Sequence, residues 1–340
     1  MMKNTMQALV YEGPRELNMR MLPVPEPAVG EVLIKVSYAG ICGSELSGYL
    51  GQNSLRVPPL VMGHEFTGSV VSIGEGVTGL APGTRVTVNP LIHCGSCPRC
   101  RESRVQLCER RQLIGAHRPG SFAEYVAVPA GSVVRLPEAL TMEQGVLAEP
   151  LACAVHIGRL ASMNPGDRLL VCGAGPIGIL VMMTAQALGL RDIVVMDLNA
   201  QRLRIVEALG GIAVSTREQL RWAAPESGFD LTVDAVGVDA TRQQAVELTR
   251  AGGKVVFSGL HDANSIIPVN IAVRNELVLL GAFCYNPGDF EQAVEWLRIG
   301  RIRLDDYVEV CPLEEGQSCF ERLIRNPGRT TKIILRAADE

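Results

Sequence analysis

An apolar, strand-length run that passes directly into a glycine-rich turn limits the possible folds of this chain more than any other feature. Residues 168–172 precede three glycines spaced as G-x-G-x-x-G, and a helix-length segment follows. In that context Gly173 permits the tight turn, Gly175 lets backbone N–H groups approach a pyrophosphate, and Gly178 allows close helix–strand packing. The pattern predicts a dinucleotide-binding βαβ unit. Its expected cofactor-binding residues are Gly173, Gly175, Pro176, Ile177 and Gly178.

The end of the next predicted strand indicates which dinucleotide is bound. Asp197 follows the β-branched run 193–196 at the distance expected for an acidic residue that accepts hydrogen bonds from the adenosine ribose. A carboxylate at that position repels the 2′-phosphate of NADP and favours NAD. Arg202 and Arg204 lie close in the sequence and are able to meet a phosphate, so NADP stays an alternative. We include Arg202 among the expected cofactor-binding residues.

The pattern of apolar runs and turn residues along the chain predicts an α/β protein with two domains. From about residue 164 to residue 258, short β-branched runs alternate with amphipathic, helix-length segments, which is typical of a doubly wound parallel sheet. The first 150 residues instead carry short apolar stretches between Gly and Pro turns, as in an irregular, mostly antiparallel β domain. A final helix at 289–299 and strand at 331–335 are interpreted as a return to the first domain. The expected segments are 1–150, 151–283 and 284–340.

Length and charge exclude several classes of protein. A chain of 340 residues is long enough for two hydrophobic cores. It has no apolar stretch near the roughly 18 residues that a membrane span requires, and its net charge of −4 offers no basic surface for nucleic acid. The N-terminal sequence lacks an apolar segment of signal-peptide length, so we expect a cytoplasmic location.

Four cysteines are clustered at metal-ligand spacing. Cys94, Cys97, Cys100 and Cys108 recur among Gly, Pro and Arg residues. In a large chain expected in a reducing compartment, this clustering indicates metal binding rather than disulfides. Four thiolates leave no ligand position open, so the spacing predicts a structural zinc site, with an iron–sulfur cluster as the alternative.

A second set of potential ligands is scattered along the first 150 residues. It comprises Cys42, the adjacent pair His64 and Glu65, and Glu149. Each of these side chains is able to have a purely structural role. Their spacing alone therefore does not decide whether they share a metal site.

The order of these segments carries a resemblance to a known family. The matching stretches are 39–44, 63–68, the lobe from Cys94 to Cys108, 120–125, 149–151 and 173–178. Together they closely resemble the zinc-containing medium-chain dehydrogenase superfamily, particularly its polyol (sorbitol-type) and threonine dehydrogenase branches. The resemblance covers nearly the whole chain. It implies a Rossmann domain inserted in a mostly antiparallel, GroES-like catalytic domain that binds zinc.

The resemblance also implies a reaction and its residues. A catalytic zinc would be bound by Cys42, His64 and a carboxylate from Glu65 or Glu149, and a secondary alcohol would be oxidised by hydride transfer to the nicotinamide. Ser44 would accept the alcohol proton. With the structural site, two zinc ions per chain are expected. The expected substrate is a small alcohol, most simply a polyol, sugar or sugar derivative.

One departure and two competing interpretations remain. Many relatives carry a histidine that completes the proton relay at the position of Ser47, and a serine cannot replace such a base. A threonine or small secondary-alcohol dehydrogenase would use the same zinc and NAD, and a non-catalytic NAD-binding protein is the alternative from another class. The substrate pocket is expected to involve side chains near Tyr49, Arg56 and 283–286.

The last apolar run before the C-terminal segment bears on assembly. Residues 277–283 would form the last strand of the inserted domain and therefore a sheet edge. An exposed edge is satisfied when two identical edges pair across a two-fold axis. We expect a homodimer or homotetramer that uses this strand.

Overall fold

The computed structural model describes residues 4–326 and 328–337. By their internal contacts the residues form two units, one of Met1–Glu149 with Asn286–Glu340 and one of Pro150–Tyr285. Across residues 4–326 and 328–337, every helix is too short or too polar to cross a membrane.

Strands and helices follow one another along the whole chain. The strands are β1 (Thr5–Gly13), β2 (Glu16–Pro23), β3 (Glu31–Gly40), β4 (Leu60–Val61), β5 (Glu65–Ile73), β6 (Arg85–Val88), β7 (Leu91–Ile92), β8 (Gln112–Leu113), β9 (Tyr125–Pro129), β10 (Val133–Arg135), β11 (Leu169–Cys172), β12 (Ile193–Met196), β13 (Ile212–Val214), β14 (Phe229–Asp234), β15 (Thr249–Phe257), β16 (Val278–Gly281), β17 (Val308–Pro312) and β18 (Lys332–Arg336). The helices are α1 (Gly43–Tyr49), α2 (Pro98–Arg101), α3 (Met142–Val146), α4 (Ala148–Ala161), α5 (Pro176–Ala187), α6 (Ala200–Ala208), α7 (Arg217–Ala223), α8 (Asp239–Leu248), α9 (Val269–Arg274), α10 (Pro287–Arg298) and α11 (Gly316–Arg325).

The first unit is organised around a mostly antiparallel sheet. Its strand order is β10-β6-β5-β3-β18-β17, and β9 also pairs with β3. Strand β3 is central because it is apolar and buried over most of its length. The C-terminal strand β18 pairs antiparallel with β3, with Ile334 opposite Gly40. This pairing brings the last strand of the chain beside the residues that follow β3, where α1 begins.

The second unit is a parallel sheet with helices between its strands. The strand order is β13-β12-β11-β14-β15-β16, which is the order 3-2-1-4-5-6 of a dinucleotide-binding sheet. All four residues of β11 are buried, as expected for a central parallel strand. The predicted fold class, a doubly wound parallel sheet combined with a mostly antiparallel β domain, is confirmed. The expected edge strand is present but shorter than predicted, at Val278–Gly281.

Glycine positions α5 against β11. Gly173 has a φ of 104°, in the left-handed region, and so allows the chain to turn where the strand ends. A Cβ at Gly178 would overlap the carbonyl oxygen of Gly173. Helix α5 can therefore begin directly above the strand, with Gly175 as N-cap and Pro176 in its first turn.

Candidate functional site

The four-cysteine lobe brings its sulfur atoms together as the spacing predicts. The Sγ atoms of Cys94, Cys97, Cys100 and Cys108 all lie within 4.8 Å of one another. Cys97 and Cys100 are 3.5 Å apart, and Cys94 and Cys100 are 3.9 Å apart. A soft, all-thiolate donor set of this compactness fits zinc in a closed, structural site.

Backbone N–H groups prepare this lobe for thiolates. The Cys97 N–H donates to Cys94 Sγ, and the Cys94 and Arg110 N–H groups donate to Cys108 Sγ, each at 3.4 Å. Hydrogen bonds from Ser96 and Cys97 lower the pKa of Cys94 to about 5. Burial raises the pKa of Cys100 to about 12. Part of the lobe therefore favours thiolate before any metal binds.

A second cluster collects ligands that are far apart in the sequence. Cys42 precedes α1, while His64 and Glu65 lie where β5 begins. One ligand atom from each of these three side chains lies within 4.8 Å of the others. The cluster combines a sulfur, a nitrogen and an oxygen donor, and such mixed sets with a free position are typical of catalytic zinc. His64 and Glu65 are buried, whereas Cys42 is partly exposed.

Glu45 orients the histidine of this cluster. Its Oε1 lies 2.8 Å from His64 Nδ1 and also accepts the Gly63 N–H at 2.9 Å, while Oε2 accepts the Cys42 N–H at 2.9 Å. Burial lowers the pKa of His64, but the negative charges of Glu45 and Cys42 outweigh it and raise the pKa well above its ordinary value. A carboxylate on Nδ1 leaves Nε2 as the ligand atom.

Lys332 holds the carboxylate of the cluster. Its Nζ lies 2.7 Å from both oxygens of Glu65 and also donates to the Ile41 carbonyl at 3.1 Å. Glu65 and Lys332 are both buried. Burial lowers the pKa of Lys332, but the charges of Glu65 and Cys42 raise it overall, so the lysine stays protonated. Glu65 is therefore shared between an internal ion pair and the ligand cluster.

Glu149 lies near the cluster but does not belong to the group whose ligand atoms all lie within 4.8 Å of one another. It is buried in the first turn of α4. Its charge contributes to the raised pKa of Lys332. Among the described residues, the group whose ligand atoms all lie within 4.8 Å comprises Cys42, His64 and Glu65. The sequence-based choice between Glu65 and Glu149 as ligand stays open, with Glu65 the carboxylate already in place.

Ser44 lies between the cluster and a buried arginine. Its hydroxyl donates to Cys42 Sγ at 3.5 Å and accepts from Arg56 Nη2 at 3.0 Å. Ser47 Oγ donates to the Ser44 carbonyl at 3.0 Å, as a residue in the first turns of a helix does. Ser47 thus contributes a side-chain hydrogen bond within α1.

The dinucleotide turn faces a cavity of about 700 Å³ in the second unit. Gly173, Gly175, Asp197 and Arg202 line this cavity, whereas Pro176, Ile177 and Gly178 lie outside its lining. The sequence missed Ser215 and Arg217, which also line it. The cavity is in the position where parallel α/β sheets of this strand order bind dinucleotides.

Two backbone N–H groups hold the carboxylate of Asp197 in place. Its Oδ2 accepts the Ala174 N–H at 2.6 Å, and its Oδ1 accepts the Asn199 N–H at 2.7 Å. Each carboxylate oxygen keeps a lone pair for a ribose hydroxyl. The Nε of Arg202 is buried without a hydrogen-bond partner.

Two residues that hold the ligands of the second cluster were not predicted from the sequence, for different reasons. Glu45 stands in the same motif as Cys42, three positions later, so a helix-capping pattern was available to find it. Lys332 is 267 residues from Glu65, and no local pattern connects the two.

Comparisons with known proteins agree with this architecture. Residues 28–138 match the family model of the alcohol dehydrogenase GroES-like domain, and residues 176–298 match that of zinc-binding dehydrogenase. D-xylulose reductase A of Aspergillus niger is 32% identical over 98% of this chain and 97% of its own length.

Solved structures give the same result. The structure of 2R,3R-butanediol dehydrogenase from Bacillus subtilis is 30% identical, covers 98% of this chain and 100% of its own, and superimposes with a TM-score of 0.89. A Sinorhizobium meliloti protein described as a zinc-binding dehydrogenase and bound to NADP is 31% identical, covers 98% and 100%, and has a TM-score of 0.90. The predicted family is confirmed, and with it a Rossmann domain combined with a GroES-like domain. This chain belongs to the zinc-containing medium-chain dehydrogenases and is an oxidoreductase that acts on CH–OH groups with NAD(P).

Proposed function

We propose that the protein oxidises a secondary alcohol of a polyol, sugar or sugar derivative to the ketone, with zinc and NAD. The observation that carries the proposal is the meeting of Cys42, His64 and Glu65 within 4.8 Å. A mixed sulfur, nitrogen and oxygen donor set suits a metal that must keep one position for substrate, unlike the four thiolates of the lobe.

The protein residues have separate roles in this proposal. Zinc held there supplies a Lewis acid to the substrate hydroxyl, and bound NAD supplies the hydride acceptor. Glu45 fixes His64 through Nδ1, and Lys332 holds Glu65 in the buried cluster. Ser44, whose hydroxyl lies beside Cys42, would accept the proton of the substrate alcohol while releasing its own proton toward bulk water, so that it relays the proton and does not keep it.

The substrate class is supported by the relatives. D-xylulose reductases act on a sugar and 2R,3R-butanediol dehydrogenase acts on a vicinal diol, as their names state. The test is NADH formation with pentitols, hexitols, 2,3-butanediol and threonine at equal concentrations. We expect the largest kcat/KM with a polyhydroxylated substrate. A preference for threonine would replace the proposal with an amino-alcohol dehydrogenase.

Metal content separates an enzyme from a binding protein. Two zinc ions per chain, measured by mass spectrometry of the purified protein, are expected if Cys42, His64 and Glu65 form a site in addition to the lobe. If the wild type held one zinc ion and Cys97→Ser held none, zinc would bind only at the lobe. That result would support a non-catalytic NAD-binding protein.

A preference for NAD is supported by Asp197, whose carboxylate lies in the dinucleotide cavity. Leu198 is 88% exposed and lines the same cavity, so a guanidinium introduced there can reach a 2′-phosphate. We expect Asp197→Ser with Leu198→Arg to raise the ratio of kcat/KM for NADP over NAD by about 10- to 100-fold. Leu198→Arg alone is the matched control, and an unchanged ratio in the double variant would mean that Asp197 does not set the preference.

A homo-oligomer joined through β16 is part of the proposal. This strand is at the edge of the six-stranded sheet, and Val278 and Leu279 are 45% and 38% exposed there. Val269 and Val273 on α9 are also exposed. Pairing with a second copy would satisfy the edge and cover apolar surface. Light scattering should give at least twice the chain mass of 36.6 kDa. Leu279→Lys should lower that mass, with Leu198→Lys as a control for charge.

A reducing, cytoplasmic location completes the proposal. Four of the ten cysteines form the lobe, and their Sγ atoms lie within 4.8 Å of one another. Thiolates that must bind zinc are kept reduced in such a compartment. Fractionation of the source cells, followed by immunodetection, tests the location.

A further inference from the structure

Arg56 is a buried cation beside the candidate zinc site. Its side chain is 3% exposed, and its Nη2 donates to Ser44 Oγ at 3.0 Å. The same Ser44 hydroxyl donates to Cys42 Sγ at 3.5 Å. One hydroxyl group therefore separates the guanidinium from a proposed metal ligand. Cys42 and Ser44 are partly exposed, whereas the arginine is buried beneath them.

The charge of Arg56 has no direct counter-ion within the part of the chain that the structure describes. No carboxylate oxygen of residues 4–326 or 328–337 is paired with its guanidinium, and its Nε is buried without a hydrogen-bond partner. The positive charge of Arg56 is among the interactions that lower the pKa of Glu45. The Glu45 oxygens, however, are occupied by His64 and by backbone N–H groups. A buried cation with unused donors is costly unless a ligand supplies the missing acceptors.

The fold reserves space for this side chain. A Cβ at Gly48 on α1 would overlap Arg56 Cδ, so the stem of the arginine packs against a helix face that only glycine leaves open. The backbone N–H of Arg56 donates to the Asn53 carbonyl at 3.2 Å and closes a turn, while the Asn53 side-chain amide donates to the Ser44 carbonyl of α1 at 3.5 Å. The position of the guanidinium is thus specified by its surroundings.

We propose that Arg56 binds an anionic group of the substrate, so that the preferred substrate is a polyol chain that carries a carboxylate or a phosphate. Guanidinium groups match these oxyanions geometrically and bind them through paired hydrogen bonds. The hydroxyl beside Ser44 and the anionic group beside Arg56 belong to the same molecule. This inference rests on the proposed oxidation and narrows its substrate class.

The test compares matched substrates that differ only in charge. Sorbitol, gluconate and sorbitol 6-phosphate are measured by NADH formation with the wild type, Arg56→Met and Arg56→Lys. We expect the wild type to favour at least one anionic substrate over sorbitol, and Arg56→Met to lower that ratio of kcat/KM by about 10- to 100-fold, mainly through KM. Arg56→Lys should keep part of the ratio. The two anionic arms distinguish a sugar acid from a sugar phosphate.

A loss of equal size on sorbitol and on both anions would show that Arg56 merely supports Ser44, and it would overturn the proposal. So would a wild type without any preference for an anion, a measurement that needs no variant. Gly48→Ala provides a second variant, because it displaces the guanidinium while keeping its charge, and it should lower the same ratio.

Binding separates this inference from the proposed oxidation. Isothermal titration of the zinc-loaded protein with gluconate and with sorbitol 6-phosphate should show binding that Arg56→Met weakens. If no substrate yields NADH but this binding is present, the oxidation is wrong and the anion site stands. If sorbitol is oxidised and neither anion binds, the oxidation stands and the anion site is wrong.

Discussion

The two cysteine-containing clusters of the first unit differ in how the chain builds them. In the lobe, four ligands lie between Cys94 and Cys108, and neighbouring backbone N–H groups donate to their sulfur atoms. In the second cluster, Cys42 comes from the start of α1, His64 and Glu65 from β5, and the counter-ion Lys332 from the last strand. The lobe is local and uniform in its donors, whereas the cluster is assembled by tertiary structure and is mixed.

This difference corresponds to different functions. Four like ligands close a metal site and stabilise the segment that carries them. Three unlike ligands held by buried charges leave a metal able to meet substrate, and their geometry depends on residues that do not touch the metal. Loss of the lobe should therefore appear mainly as lost stability, and loss of the cluster mainly as lost turnover.

The largest expected effect is on turnover in Cys42→Ser. Removal of a catalytic metal ligand costs several kcal/mol of transition-state stabilisation, so kcat/KM for the best polyol should fall by roughly 10³-fold or more. The melting temperature should change little, because Cys42 is partly exposed and precedes a short helix. Kinetics and circular-dichroism melting on the same preparation provide the comparison. Retained activity would contradict the assignment of Cys42 as a ligand.

Lys332→Met should show that the cluster also depends on a buried ion pair. It leaves the Glu65 carboxylate buried without its cation, which costs about 3–5 kcal/mol of unfolding free energy. Denaturant unfolding measures the loss. Glu65→Gln combined with Lys332→Met is the control, since removal of both charges should recover a large part of the stability. A double variant no more stable than Lys332→Met alone would show that the two residues are not coupled.

Cys97→Ser should produce the opposite profile to Cys42→Ser. One of two zinc ions should be lost, and the melting temperature should fall by roughly 5–10 °C, because structural zinc binding contributes to folding free energy. Turnover measured well below the melting transition should stay within a few-fold of the wild type. If Cys97→Ser retained its melting temperature while losing turnover, the roles of the two clusters would be reversed.

The same contrast explains what the sequence predicts. Motifs whose members are near one another, such as the lobe and the turn from Gly173 to Gly178, are visible because their chemistry needs fixed local spacing. The strand alternation predicted the parallel sheet for the same reason, since each βαβ unit is local. The bond between Glu45 and His64 and the pair of Glu65 with Lys332 depend on strand pairing across the first unit, and the burial of Arg56 depends on how its loop packs against α1. Sequence periodicity carries no information about such pairings.

Tyr49 offers a smaller test of how distant chain segments fix α1, the helix that follows Cys42. Its hydroxyl accepts from Gln317 Nε2 and donates to Glu321 Oε1, each at 2.7 Å, and its ring packs edge-on against Phe320 at 5.3 Å between centroids. Tyr49→Phe keeps the ring but leaves polar atoms of α11 without their partner, which should cost about 1–3 kcal/mol. Tyr307→Phe is the control, because that hydroxyl makes no hydrogen bond in the described ranges 4–326 and 328–337.

The pH dependence of the stability difference between the wild type and Tyr49→Phe tests whether the Tyr49 hydroxyl is its cause. Burial and the adjacent Glu321 carboxylate raise the pKa of Tyr49 to about 12, above its ordinary value of 10.0. A group whose pKa is raised by folding stabilises the native state fully below its unfolded pKa and loses that contribution as the pH rises through the folded value. The stability advantage of the wild type over Tyr49→Phe should therefore be constant from neutral pH to about pH 10 and decline between about pH 10 and pH 12. It should also decline in acid, because the Tyr49 hydroxyl lowers the pKa of Glu321 and that contribution is lost when the carboxylate is protonated. Urea unfolding of both proteins at several pH values measures it. An advantage that stays constant to pH 12 would mean that folding does not raise the pKa of Tyr49, which would contradict a close contact between its hydroxyl and the Glu321 carboxylate.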